Sequence, residues 1–110
     1  YWRLIMITVN VYTDNNKKIN GVFVSGHSGY EEIGKDIVCS AVSTAVLLTA
    51  SLIEKICPQY VFEVDEKKVT MSLKLLQSNE ISDITINNLV EFLESVKKDY
   101  TKYIKIKYIK

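Results

Sequence analysis

Two side chains in this sequence are suited to nucleophilic chemistry, and they lie near each other in the chain. His27 is the single histidine, and Cys39 follows twelve residues later. A cysteine thiolate attacks an acyl carbon once a neighbouring imidazole has taken its proton, and the imidazolium so formed keeps the thiolate charged. Asp36 stands immediately before the run Ile37-Val38-Cys39-Ser40-Ala41-Val42-Ser43 and has the side chain of an N-cap. On that reading Cys39 is the third helical residue, in the first turn, where unbonded N–H groups and the positive end of the helix dipole favour thiolate over thiol. Ser43 falls one turn later on the same face and is placed to support the pair by hydrogen bonding. The oxyanion of acyl transfer needs donors that no particular side chain has to supply. The backbone of a glycine-rich loop suffices, and Gly26 and Gly29 flank His27 as candidates. Asp36 either orients His27 or only caps the helix, since a carboxylate there serves both purposes.

Spacing alone leaves plainer readings open. A cysteine within Ile-Val-Cys-Ser-Ala-Val is commonly a small buried hydrophobe, and a loop histidine is commonly just polar. His27, Cys39 and Cys57 do not form closely spaced ligand couples, so no metal is expected, and no cofactor motif is present. Cys57 lies about five helical turns beyond Cys39 and is read as structural.

The elements that must position these residues follow from periodicity. Ile5, Ile7, Val9 and Val11 alternate with polar neighbours and predict a first strand. The polar segment 13–18 turns it into a second strand over 19–25, as an antiparallel hairpin. Segment 26–35 holds three of the four glycines, follows neither hydrophobic period, and reads as a mobile loop. Helix one is expected over about 37–57, ending at Pro58. Tyr60, Phe62 and Val64, then Val69, Met71, Leu73 and Leu75, predict a second hairpin around Asp65-Glu66-Lys67-Lys68. Ile86, Leu89, Val90, Leu93, Val96 and Tyr100 recur at helical spacing and predict helix two over about 83–102, with Ser82 or Thr85 as cap. Residues 104–110 alternate Ile or Tyr with Lys and predict a last strand whose lysines face water and protect an edge. The order is ββαββαβ: a single small α+β domain, a mostly antiparallel sheet with two helices packed on it.

Composition narrows the function classes. At 110 residues, 47% hydrophobic and 25% charged, with one proline, the chain holds one domain and no linker. Residues 1–5 precede Met6 and are read as a non-native or upstream leader, leaving 6–110 as the single domain. Fourteen basic and thirteen acidic residues give a net charge of +1, so no global field marks a nucleic-acid or membrane-surface protein. Two cysteines and no signal peptide point to a reducing cytoplasm. The longest uncharged stretch, Ile37 to Ile53, is 17 residues with five hydroxyl side chains, and is read as a buried helix rather than a membrane span. Lys97, Lys98, Lys102, Lys105, Lys107 and Lys110 interleave with Tyr100, Tyr103 and Tyr108. Such a pattern can contact RNA, but alternating lysine on an edge strand is also the ordinary way to keep it soluble, and the RNA contact is not favoured.

The strings Ser25-Gly26-His27-Ser28-Gly29-Tyr30 and Gly34-Lys35-Asp36-Ile37-Val38-Cys39-Ser40-Ala41-Val42-Ser43 resemble the signature of the bacterial ribosomal-processing cysteine proteases, the Prp family. The resemblance runs over nearly the whole chain from Met6. It implies a cysteine endopeptidase that removes the N-terminal extension of a large-subunit ribosomal protein, number twenty-seven. By resemblance Cys39 matches the nucleophile and His27 the general base. Asp36 and Ser43 match supporting polar positions, and Gly26 and Gly29 match the loop glycines. Ser28 stands where many members have alanine and touches neither member of the dyad. The resemblance also implies a homodimer with a flexible loop over the site. Two rival classes remain: a non-enzymatic ribosome-associated module that binds RNA or protein, and a redox module in which Cys39 is merely a reactive thiol.

Overall fold

A computed structural model describes residues 7–26 and 33–110, with the backbone alone for 33–36. Its elements are β1 (Ile7–Thr13), β2 (Ile19–Ser25), α1 (Ile33–Ile56), β3 (Gln59–Asp65), β4 (Thr70–Gln77), α2 (Glu80–Asp99) and β5 (Ile104–Ile109). The five strands form one sheet in the order β3-β4-β2-β1-β5. β1 with β2, β2 with β4 and β3 with β4 are antiparallel, while β5 runs parallel to β1 at one edge. The expected ββαββαβ order and both expected hairpins are present, and β5 is the lysine-bearing edge strand anticipated above.

Period-2 patterning explains the sheet's two faces. Ile7, Val9, Val11, Val22, Val24, Met71, Leu73, Leu75 and Ile104 all point to one face and are buried. Both helices pack there. α1 contributes Val38, Val42, Val46, Ala50 and Ile53; α2 contributes Ile86, Leu89, Val90, Leu93 and Val96. Each hairpin turn opens on an aspartate whose carboxylate accepts two backbone N–H groups. Asp14 takes those of Asn16 and Lys18 at 2.8 and 3.0 Å, and Asp65 takes those of Lys67 and Lys68 at 3.0 and 3.1 Å. Each also holds one left-handed residue, Lys17 at φ 64° and Val69 at φ 56°. Valine is a costly choice there, because its β-branch crowds the backbone.

Two helix starts differ from the sequence expectation. α1 begins at Ile33, so Asp36 is its fourth residue and not an N-cap, and residues 33–35 belong to the helix rather than to a loop. Gly34 obscured this start: a glycine inside a helix costs about 1 kcal/mol relative to alanine and normally argues for a loop. α2 begins at Glu80 behind Asn79, and it ends at Asp99. Ser82 acts as the third residue of a capping box: Asn79 Oδ1 accepts from Ser82 N at 2.8 Å, and Asn79 N donates to Ser82 Oγ at 2.8 Å. Asn79 Nδ2 also donates to the Ile56 carbonyl at 2.7 Å, so one side chain serves the end of α1 and the start of α2.

The segment Ile37–Ile56 is long and apolar enough to cross a membrane by length and composition alone. In this fold one stripe of it is buried on the sheet. The opposite side leaves Leu47, Leu48 and Leu52 exposed, Leu48 at 70%, so the buried-helix reading holds for the inner stripe only.

Candidate functional site

Cys39 is the seventh residue of α1, two turns from its start, and not the third as the capping argument had it. The field of a helix terminus fades within its first turn, so the dipole is a minor influence at this depth. Cys39 is half-buried and packs at the margin of the core, and Ser43 is likewise partly exposed one turn on. Of the remaining sequence candidates, Gly26 is described at the end of β2, where φ 87° demands a glycine as the chain leaves the sheet. His27 and Gly29 lie outside the described residues, and so does most of the expected mobile loop. For Asp36 only the helical backbone is described.

Element lengths fix where Cys39 lies along the sheet. α1 and β4 are tied at one end by Cys57, whose thiol lies 3.0 Å from the Gln77 carbonyl and 3.3 Å from that of Gln59. This is the structural role expected of it. From Ile56 back to Cys39 is seventeen helical steps, about 26 Å at 1.5 Å each. From Gln77 back to Thr70 is seven strand steps, about 24 Å at 3.4 Å each. Cys39 therefore comes level with Thr70, and Thr70 pairs with Ser25, the residue before Gly26.

Angular position fixes which side of α1 carries the thiol. With Val38, Val42, Val46 and Ile53 facing the sheet, Ala41, Ala45 and Leu48 turn toward α2 and line an open groove of about 470 Å³ with Asn88 and Phe92. Cys39, Ser43 and Leu47 recur at i, i+4 and i+8 on the other flank, above β3. There Leu47, Ala50, Ser51 and Glu54 face Tyr60 and Phe62 across a hollow of about 310 Å³. β3 is an edge strand that α1 covers incompletely, so its inward residues Tyr60 and Phe62 are only partly buried and Val64 is 49% exposed. Val64 pairs with Met71, at the Gly26 end of the sheet. The hollow and the partly covered β3 form a trough beside α1, and Cys39 lies on the same flank of the helix about two turns beyond Leu47. Sequence reasoning missed this wall, because alternation in 60–64 announces a strand but not that it lies at a sheet edge.

Among the described residues no three His, Cys, Asp or Glu side chains gather as a metal site. The family model for cysteine protease Prp matches residues 6–105. The chain belongs to the cysteine protease Prp family. It is a cysteine protease, and the non-enzymatic and redox alternatives fall away as descriptions of its principal activity. Ribosomal processing cysteine protease Prp from Staphylococcus aureus strain Mu50 is 21% identical over 105 residues, covering 94% of this chain and 99% of the relative. The fold matches a crystal structure of the Staphylococcus aureus Prp protease in complex with a substrate peptide, with a TM-score of 0.86 at 20% identity and coverage of 94% and 99%. A Streptococcus mutans protein gives the same TM-score of 0.86 at 22% identity, over 96% of this chain and 95% of that one.

Proposed function

We propose that this Prp-family chain removes the N-terminal extension from the precursor of large-subunit ribosomal protein number twenty-seven in the cytoplasm, with Cys39 as nucleophile and His27 as general base. The observation that carries the reading is the position of Cys39, partly buried on the α1 flank that borders the trough and level with Gly26, the residue that precedes His27 in the chain. The extension docks as an extended segment between α1 and β3, its apolar side chains against Leu47, Phe62 and Val64.

His27 takes the thiol proton, and Cys39 Sγ attacks the scissile carbonyl carbon. The C–S bond forms and the carbonyl oxygen becomes an oxyanion, which backbone N–H groups of the Gly26–Gly29 segment stabilise. The oxyanion collapses, the C–N bond breaks, and the imidazolium of His27 protonates the departing amine. The acyl group stays on Cys39 as a thioester. His27 then deprotonates a water, which attacks the thioester and releases the extension with the thiolate restored. No cofactor takes part. Ser43, one turn from Cys39, and Asp36, one turn before Ser40, support the dyad.

The working unit is a homodimer. Leu48, Leu52 and Phe92 offer an exposed apolar area on the outer side of the helices for that purpose. Mass spectrometry of a peptide spanning the extension tests the reading: one cut by the native chain and none by Cys39→Ala or His27→Ala is expected. Cleavage that survives either substitution, or an intact precursor after incubation with folded native chain, overturns it.

A further inference from the structure

Among the described residues nothing covers the sheet's second face, and its side chains form ordered rows. One row runs Lys107, Asn10, Phe23, Ser72, Glu63 across β5, β1, β2, β4 and β3. The rows on either side are Lys105, Thr8, Ser25, Thr70, Asp65 and Ile109, Tyr12, Gly21, Lys74, Val61. Neither helix touches this face, which is the side away from α1 and Cys39. Gly21 leaves a gap between Tyr12 and Lys74. The Tyr12 ring leans over that gap, its Cδ2 3.7 Å from where a Gly21 Cβ would stand. The result is a hollow of about 400 Å³ lined by Tyr12, Gly21, Phe23, Ser72, Lys74 and Lys110.

Its charge is one-sided. Lys74, Lys105, Lys107 and Lys110 are all exposed, and among the described residues none has a carboxylate partner; the ion pair present joins Lys18 to Asp83 on the helix side at 3.0 Å. From β5 to β4 this face carries no acidic side chain; the acidic residues stand on β3 at the far edge, Glu63 beside Ser72 and Asp65 beside Thr70, and with Glu66 they line a second hollow that Phe23 also borders. A chain of net charge +1 thus concentrates unpaired cations around two aromatic rings on one flat surface. Asn10 Oδ1 adds a screened acceptor without a partner in the same row as Phe23.

We propose that this open face binds single-stranded RNA. Lys105 and Lys107 stand two residues apart on one side of β5, about 7 Å, and meet successive phosphates of a strand crossing the sheet. Tyr12 and the edge of Phe23 supply platforms on which unpaired bases stack, and the hollow beside Gly21 accepts one base. A duplex offers no exposed base faces and gains only the phosphate contacts. The edge-strand lysines have a use beyond solubility, because they continue across β1 and β2 into the aromatic rows. This inference stands apart from the Cys39 reading, since the two lie on opposite sides of the sheet.

Fluorescence anisotropy of a labelled single-stranded RNA of about twelve nucleotides with the full chain tests it. Four phosphate contacts give a slope of log affinity against log salt near −3, at about 0.7 per contact on single strands. Lys105→Gln with Lys107→Gln reduces that slope by about 1.4. Charge reversal at both positions weakens binding at least about tenfold and leaves peptide cleavage unchanged. Lys97→Glu with Lys98→Glu on α2 makes the same change in net charge and has a small effect only. Tyr12→Leu keeps Gly21 covered and weakens single-strand binding about fivefold or more. Equal affinity for duplex RNA, equal loss in the Lys97/Lys98 variant, or no binding at low salt overturns the proposal. So does conversion of a dimer to a monomer by the Lys105/Lys107 reversal, in sedimentation, which would make this face a contact between copies of the chain.

Discussion

Asn79 joins the two helices through a single side chain, and the cost of losing it can be worked out bond by bond. Its Oδ1 caps α2 by accepting from Ser82 N, and its Nδ2 closes α1 by donating to the Ile56 carbonyl. Asn79→Ala removes both. The cap is worth about 1 kcal/mol. The bond to Ile56 involves an exposed residue and adds about 0.5–1 kcal/mol. Ser82 is fully buried; its hydroxyl stays bonded to the Asn79 backbone, and its N–H loses the Oδ1 acceptor, which is the loss counted in the cap. The total is about 2 kcal/mol. At about 2.1 cal/mol/K per residue, a chain of 110 residues loses about 4 °C in Tm per kcal/mol, so Asn79→Ala melts about 8 °C lower. Asn79→Ser retains the acceptor and loses only the Ile56 bond, for a drop of about 2–4 °C. Asn79→Asp keeps the cap but sets an anion against the negative end of α1, and falls between the two, near 1 kcal/mol. Urea and thermal unfolding followed by circular dichroism measure all three. An Asn79→Ala chain within 0.5 kcal/mol of the native one, or equal losses in the alanine and serine variants, would refute the double-cap reasoning.

Three further outcomes follow from the structure. Val69 at φ 56° carries left-handed strain of about 1–2 kcal/mol, so Val69→Asn or Val69→Gly stabilises by about 1 kcal/mol in urea; no gain would mean that the turn is unstrained. Tyr108 has its hydroxyl pushed up to about 12 by burial, with help from its hydrogen bond to the Glu94 carboxylate and that group's charge. The unfolded chain loses this proton near the ordinary value of 10 and the folded chain retains it, so stability falls as pH rises from 10 to about 12. Tyr108→Phe removes that portion of the decline, and Glu94→Gln moves the phenolate absorbance transition back toward 10; an unmoved transition would deny the contact. Val64→Glu places a charge at the half-exposed end of β3, on the proposed substrate path, lowering kcat/KM on an apolar peptide about tenfold while stability stays within about 0.5 kcal/mol. Unchanged kinetics would remove β3 from the substrate path.

Most of the fold was legible because alternation and helical spacing are local. Ile7, Val9 and Val11, or Ile86, Leu89, Val90 and Leu93, announce their elements without help from distant residues. Helix starts were less so. Gly34 argues against a helix that nevertheless begins at Ile33, and Asp36 looks like a cap although it stands fourth in the helix. Asn79 escaped notice because its second partner is the Ile56 carbonyl, twenty-three residues away. The trough and the basic aromatic face were illegible for a common reason. Strand order decides that β3 is an edge beside α1, and that Lys105 and Lys107 join Tyr12 and Phe23 across β1. No local pattern encodes that order. Cys39 was singled out by its motif while its helical position was misjudged, so the proposal that it is the nucleophile rests on its partial burial and its level along the sheet rather than on a helix dipole.

The central claim is that Cys39 carries the acyl group. Acid quench during turnover of the extension peptide, followed by intact-mass and peptide-map spectrometry, tests it most directly. The account predicts a chain heavier by the N-terminal fragment less one water, with the adduct on the peptide that contains Cys39, absent in Cys39→Ala and scarce in His27→Ala. Turnover with no adduct at any time point, or an adduct on Cys57, would contradict it.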